Sequence, residues 1–156
     1  MYVAFRPNIE LITSTRRFVA ELFDSVLTDP DAVSRVALTI HELLENTLKY
    51  SIDGMVCLEV TVTDLDNRKI VKVCASNRAR PDQLAELRRR IDALRETHDP
   101  MGFYVSMMID SAGREDGSGL GLARIRVEGE MDLAYSINGD VITITAATPV
   151  ELAEIQ

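Results

Sequence analysis

Glu42, Asn46 and Lys49 stand four and then three residues apart in the run His41-Glu42-Leu43-Leu44-Glu45-Asn46-Thr47-Leu48-Lys49-Tyr50-Ser51. On a helix, that spacing projects all three from one face. A carboxylate, an amide and an ammonium together suit a Mg²⁺-phosphate group. The amide oxygen can ligate the cation, the ammonium can meet phosphate, and the carboxylate can orient a water or a hydroxyl. Taken alone, the same pattern also describes a solvated polar face. A second segment, Gly117-Ser118-Gly119-Leu120-Gly121-Leu122-Ala123, sets three alternating glycines ahead of a helical stretch. Glycine permits close backbone approach, and a helix N-terminus offers unpaired N–H groups to an anion. The spacing is not the G-x-G-x-x-G of a dinucleotide site, and it lacks the Gly-Lys-Ser/Thr ending of a P-loop.

These residues need elements to hold them. A strand is expected over residues 2–6, closed by Pro7. Ile9, Ile12, Val19, Leu22, Phe23, Val26 and Leu27 then follow helical spacing. Asp29-Pro30-Asp31 ends that helix and starts the next, with Asp29 placed to cap and Pro30 suited to the first turn. The second helix carries Val33, Val36, Ala37, Ile40, Leu44 and Leu48 on one stripe and ends near Asp53-Gly54, which turns the Glu42 face away from that stripe. Val56, Leu58, Val60 and Val62 alternate with Cys57, Glu59, Thr61 and Thr63, the pattern of a strand with one wet face. A turn over 64–67 leads to a strand over 69–75 with Val71 and Val73 on the buried side.

Pro81 opens a helix to about residue 97, with Leu84, Leu87, Ile91 and Leu94 inward. Two more helices are expected over 101–111 and 120–128, and a final hairpin joins 133–137 to 141–147 through Asn138-Gly139-Asp140. The order β-α-α-β-β-α-α-α-β-β implies an α+β two-layer sandwich, a mixed or antiparallel sheet with helices on one face.

No repeat, low-complexity tract or linker divides the 156 residues, so a single domain over 1–156 is expected. Hydrophobic residues, at 46%, suffice for a buried core. The net charge of −8 argues against a nucleic-acid partner, which calls for a basic stripe. No apolar run approaches the roughly 18–20 residues that span a bilayer, and no charged and apolar leader precedes Met1-Tyr2-Val3. Cys57 and Cys74 are too few for a disulfide framework or a four-ligand zinc site. The expectation is a cytoplasmic protein with two reduced thiols and no membrane contact.

Together, the helical triad and the glycine turn resemble the ATPase superfamily shared by histidine-kinase catalytic domains, type II topoisomerases, the heat-shock-90 chaperones and the mismatch-repair MutL proteins. The N box, E-x-x-x-N-x-x-K-Y, is matched by Glu42, Asn46, Lys49 and Tyr50, and the G2 box, G-x-G-x-G, by Gly117, Gly119 and Gly121. Within the superfamily, the small size and element order are most similar to the bacterial anti-sigma-factor serine kinases of partner-switching systems, over nearly the whole chain. The resemblance implies the histidine-kinase-like ATPase fold and ATP with Mg²⁺ as cofactors. Glu42 would be the general base and Asn46 the magnesium ligand. Lys49 would contact phosphate, and Gly117, Gly119, Leu120 and Gly121 would form the nucleotide-binding lid hinge. It also implies phosphoryl transfer to a Ser or Thr of a STAS-domain antagonist, control of a sigma-factor-like partner, and pairing as a homodimer.

One departure stands out. The superfamily's G1 box, D-x-G-x-G, should follow the strand ending near Ala75. By counting, Ser76 stands where an Asp accepts the adenine amino group, and Arg78 and Arg80 stand at the two glycines. Serine accepts a hydrogen bond without the charge assistance of a carboxylate, and arginine does not replace a glycine needed for positive φ or close approach. The arginines could themselves meet phosphates. The expected function is an ATP-dependent switch with serine/threonine kinase activity. The alternative is a non-catalytic partner-binding module with an eroded nucleotide pocket. A detached histidine-kinase catalytic domain is a third reading, which lacks its phosphoacceptor helices here.

Other motifs are set aside. His41-Glu42 is followed by Glu45, which breaks the zinc pattern H-E-x-x-H, and His41 lacks the Arg-Thr-Pro context of a phosphoacceptor. Arg88, Arg89, Arg90 and Arg95 read as a solvated helix face. Met101, Phe103, Tyr104, Val105, Met107 and Met108 read either as core or as an adaptable lid or partner surface.

Overall fold

The computed structural model describes residues 1–112 and 119–153. Strand β1 (Tyr2–Phe5) ends before Pro7, and Asn8 caps helix α1 (Ile9–Asp24) by accepting from the Leu11 N–H at 2.8 Å. Of the apolar residues that set the helical period, Ile12, Val19 and Phe23 are buried, whereas Ile9 and Leu22 are exposed. Asp29 caps helix α2 (Pro30–Tyr50), its carboxylate accepting from the Asp31 N–H at 2.9 Å, with Pro30 in the first turn. Replacing Asp29 by alanine orphans that donor and should destabilise the fold by about 0.5–2 kcal/mol, read as a lower urea midpoint with unchanged slope.

Helix α2 is buried on more than one side. Val33, Val36, Ala37, Ile40 and Leu44 are buried as expected, but so are Leu43 and Thr47, and the predicted stripe residue Leu48 is exposed. The reason is tertiary: α1, strand β3 (Arg68–Arg78) and helix α5 (Leu120–Val127) all pack on α2, so no single stripe describes its burial.

Strands β2 (Val56–Leu65) and β3 (Arg68–Arg78) form a hairpin whose two-residue turn, Asp66-Asn67, takes φ values of 50° and 62°. Asp and Asn tolerate that left-handed region better than other side-chain-bearing residues. Helices α3 (Pro81–Glu96), α4 (Pro100–Ser111) and α5 (Leu120–Val127) follow, and then strands β4 (Asp132–Asn138) and β5 (Val141–Val150). The sheet order is β1-β2-β3-β5-β4, and every pairing is antiparallel.

The helices cover one face of the sheet. Val71, Val73 and Ala75 of β3 and Ile142, Ile144 and Ala146 of β5 point into that layer and are buried with Ile40, Leu44, Leu122 and Ile125. The opposite face carries Cys57, Glu59, Lys72, Cys74, Ser76, Thr143 and Thr145, and both cysteines are free thiols. No helix among the described residues is long and apolar enough to cross a membrane.

One strand boundary changes the reading of the site. The sequence predicts that β3 ends near Ala75. In the structure it runs to Arg78, because β5 continues the ladder through Ser76–Thr143, Asn77–Ile142 and Arg78–Val141.

Candidate functional site

The triad on α2 has one face, but α5 divides it. Glu42 is only 4% exposed. Helix α5 lies across it and touches it at two points one turn apart. Arg124 donates from Nη1 to Glu42 Oε1, and at Gly121 a Cβ would stand 2.6 Å from Glu42 Oε2. Residues i and i+3 share a helical face, so Gly121 and Arg124 form one seat for the carboxylate. Burial pushes the Glu42 carboxyl above its ordinary range, and the neighbouring Arg124 charge pulls it partly back.

One turn further along α2, Asn46 is half-buried, and its Nδ2 is buried without a hydrogen-bond partner among the described residues. A buried amide end without a partner costs stability unless something fills its hydrogen-bonding capacity. Rotation about the last torsion exchanges the amide nitrogen and oxygen, so that position can present either a donor or an acceptor. An orphaned amide one turn from a buried carboxylate fits a Mg²⁺-phosphate group. Such a site takes few protein ligands, because magnesium keeps waters and phosphate oxygens in its shell. Lys49 is exposed on the next turn, with Nζ 5.4 Å from the centre of the Tyr50 ring, within cation–π range.

The glycine segment is only partly described. Gly117 lies outside the described residues. Gly119 caps α5 at φ +72°, a conformation that favours glycine. The space beside Gly119 is taken by the Arg90 guanidinium, whose Nη1 is buried and has no hydrogen-bond partner among the described residues, while its Nε donates to Glu86 at 2.6 Å. Leu120 opens α5, half-buried. Gly121 sits inside the helix, where its lack of a side chain leaves room for the Glu42 carboxylate.

Ser76 is not brought to this site. Its side chain points to the uncovered sheet face, where its hydroxyl meets that of Thr143 at 2.8 Å. The β3 residue turned toward the helices at that level is Asn77, 8% exposed, its amide donating to the Arg78 carbonyl at 3.2 Å. The two-residue period that put Val71 and Val73 inward already signals Asn77.

Arg78 and Arg80 have structural work. Arg78 ties β3 to the β4–β5 turn through Asp140, from Nε at 2.9 Å and Nη2 at 2.7 Å, and Asp53 Oδ2 lies 3.6 Å from its Nη1. That guanidinium holds the Asp140 carboxyl below its usual range. Arg80 is the residue before α3, and its Nε lies 3.3 Å from Asp82. Neither arginine has positive φ.

Three participants were not among the site residues expected from sequence. Arg124 is one. Tyr104 of α4 is the second, its hydroxyl donating to Glu128 at 2.6 Å. Glu128 is the third, standing at the C-terminal end of α5 with Oε2 3.5 Å from Arg124 Nη2. Tyr104 is the one buried residue of α4, whose Met101 and Ile109 are 57% and 70% exposed, so this helix is mostly surface rather than core. A cavity of about 260 Å³ lies between α3, α4 and Gly119, lined by Arg89, Arg90, Phe103 and Met107 among others. A cavity of about 900 Å³ by the Asp66-Asn67 turn holds none of the triad.

No protein-family model matches the chain, and no curated protein matches it. Among solved structures, a chain of the SiaB-SiaC complex from Pseudomonas aeruginosa is similar over 95% of this chain and 88% of that one, at 16% identity and a TM-score of 0.72. The catalytic domain of the histidine kinase ThkA, in a nucleotide-free form, aligns over 98% of this chain and 99% of its own at 14% identity, with a TM-score of 0.39.

Proposed function

We propose that this chain, which shares its fold with a chain of the SiaB-SiaC complex, is a partner-switching regulator of the histidine-kinase-like ATPase class that binds Mg²⁺-ATP and transfers its γ-phosphoryl group to a Ser or Thr of a STAS-domain antagonist. The observation that carries the reading is the buried carboxylate of Glu42 set one helical turn from the orphaned amide of Asn46. It is supported by the fold shared with a chain of a two-protein complex, SiaB-SiaC.

In this reading Asn46 holds the cation, which when bound neutralises phosphate charge. Lys49, on the same helical face, contacts phosphate. The backbone N–H groups of Gly119, Leu120 and the start of α5 would meet the phosphates. Glu42 accepts the hydroxyl proton as the Ser or Thr oxygen bonds to the γ-phosphorus and ADP departs. Little covalent chemistry falls to the protein, whose task is positioning and charge stabilisation.

A second reading is favoured by the strand end. With β3 running to Arg78, Ser76 facing away, and Arg78 and Arg80 paired with Asp140 and Asp82, the segment expected to meet adenine is taken up by strand pairing and ion pairs. A module that binds its partner without nucleotide fits that observation. Calorimetric titration with ATP, with and without Mg²⁺ and with GTP as control, separates the two. Magnesium-dependent ATP binding, weakened at least about tenfold in Asn46→Ala through loss of the amide, is expected from the switch. No heat at millimolar ATP sinks it in favour of the module.

A further inference from the structure

Glu42 is approached directly from α5 and, through Glu128, from α4. From α5, Arg124 donates to Oε1 and Gly121 stands against Oε2. On α2 itself its charged neighbours are His41 and Glu45, which face each other at 3.1 Å. From α4, Tyr104 reaches Glu128, and Glu128 in turn reaches Arg124. One guanidinium is therefore shared between two carboxylates: Glu42, which is buried, and Glu128, which is exposed and held by the hydroxyl of Tyr104.

A buried carboxylate prefers its neutral form, and a neutral acid cannot accept a hydroxyl proton. A cation at hydrogen-bond distance restores the charged form and fixes the direction in which its free lone pairs point. A second carboxylate on the same guanidinium draws that cation away and adds like charge. The direction of each effect on Glu42 follows: burial raises its pKa, Arg124 lowers it, Glu45 raises it, His41 lowers it, and Glu128 raises it.

We propose that Arg124 is a positioning residue that holds Glu42 ionised and oriented as the proton acceptor, and that Glu128, anchored to α4 by Tyr104, competes for the same guanidinium and so couples α4 to the base. This rests on the reading of Glu42 as the base. Movement of α4 that releases Glu128 gives Arg124 wholly to Glu42, and movement that draws Glu128 closer takes it away.

The test is a carboxyl titration of the whole protein, labelled with ¹³C at glutamate Cδ and followed by NMR, the Glu42 signal being identified by its absence in Glu42→Gln. Relative to the unsubstituted protein, the Glu42 midpoint should rise in Arg124→Gln, return partway in Arg124→Lys, and fall in Glu128→Gln. Opposite shifts from two neighbouring substitutions on α5 are not produced by general loosening of the helix. An unmoved midpoint in Arg124→Gln, or a shift of the same sign in both variants, overturns the proposal. If Arg124→Gln does not fold, the signs for Arg124→Lys and Glu128→Gln decide it. The titration is run without nucleotide, so failure of the chain to bind ATP would defeat the functional reading and leave the ion-pair result standing. The pH profile of Mg²⁺-ATP hydrolysis joins the two. Its acid limb should move to higher pH in Arg124→Gln and to lower pH in Glu128→Gln.

Discussion

Glu42→Gln is expected to lower phosphoryl transfer by roughly 10²–10⁴-fold, the range for loss of a positioned general base, while making the fold more resistant to heat at neutral pH. Both effects come from the same burial. The carboxyl is raised above its ordinary value of 4.5 because α5 removes it from water. A raised group contributes stability below its unfolded value and loses that contribution as pH rises through its folded value. As pH rises through that raised value, the native protein comes to carry an ionised group that its surroundings disfavour, and glutamine does not. Glutamine keeps the oxygen that accepts from Arg124 and nearly the same volume. The gap between the unfolding midpoints, variant above native, should widen as pH is raised from 4 to 8. A variant that is inactive but less stable at every pH would show that the Arg124 pair outweighs burial. Retained transfer would remove Glu42 from the chemistry. Stability traded for activity at a strained site is a recurring pattern.

Gly121→Val should destabilise the protein by about 1–3 kcal/mol, the range for overpacking a filled site. The usual argument for a glycine before a helix is backbone freedom, and it applies to Gly119 at φ +72°. It does not apply to Gly121, which lies within α5 and has no positive φ. What Gly121 provides is space. A Cβ there would fall 2.6 Å from Glu42 Oε2 and 3.7 Å from Glu42 Cβ. A contact of 2.6 Å cannot persist, so the carboxylate must shift within its buried seat, which disturbs its pairing with Arg124.

Urea unfolding measures the cost, and a double-mutant cycle identifies its source. In a Glu42→Ala background the carboxylate is gone, and Gly121→Val should cost less by about 0.5–3 kcal/mol, the coupling expected of residues in contact. Equal costs in both backgrounds would mean that the valine clashes elsewhere and that Gly121 does not serve the carboxylate.

The element order and the helix starts at Pro30 and Pro81 were legible in sequence because their causes are local. Asp29 and Pro30 cap and open α2 whatever packs above it, and Asn138-Gly139-Asp140 turns a hairpin through backbone preference alone. The face shared by Glu42, Asn46 and Lys49 was legible for the same reason, since 3.6 residues per turn fixes it before any tertiary contact forms.

Local pattern could not assign burial on that face. Glu42 is covered and Lys49 exposed because a helix nearly 80 residues later crosses only the first of them. The strand that should have stopped at Ala75 continues because β5 offers it three more partners, which no pattern within β3 records. Ser76 shows the cost of counting from a motif against the strand's own period: alternation puts it on the open face and turns Asn77 inward. The sequence by itself determined which residues form helices, which alternate in strands, and which polar groups share a helical face, because those depend on neighbours within a few positions. The tertiary structure decided which carboxylate is taken out of water, which arginine meets it, and which glycine makes room. Desolvation and ion pairing depend on what packs in three dimensions, and those partners lie 82 residues apart in the chain.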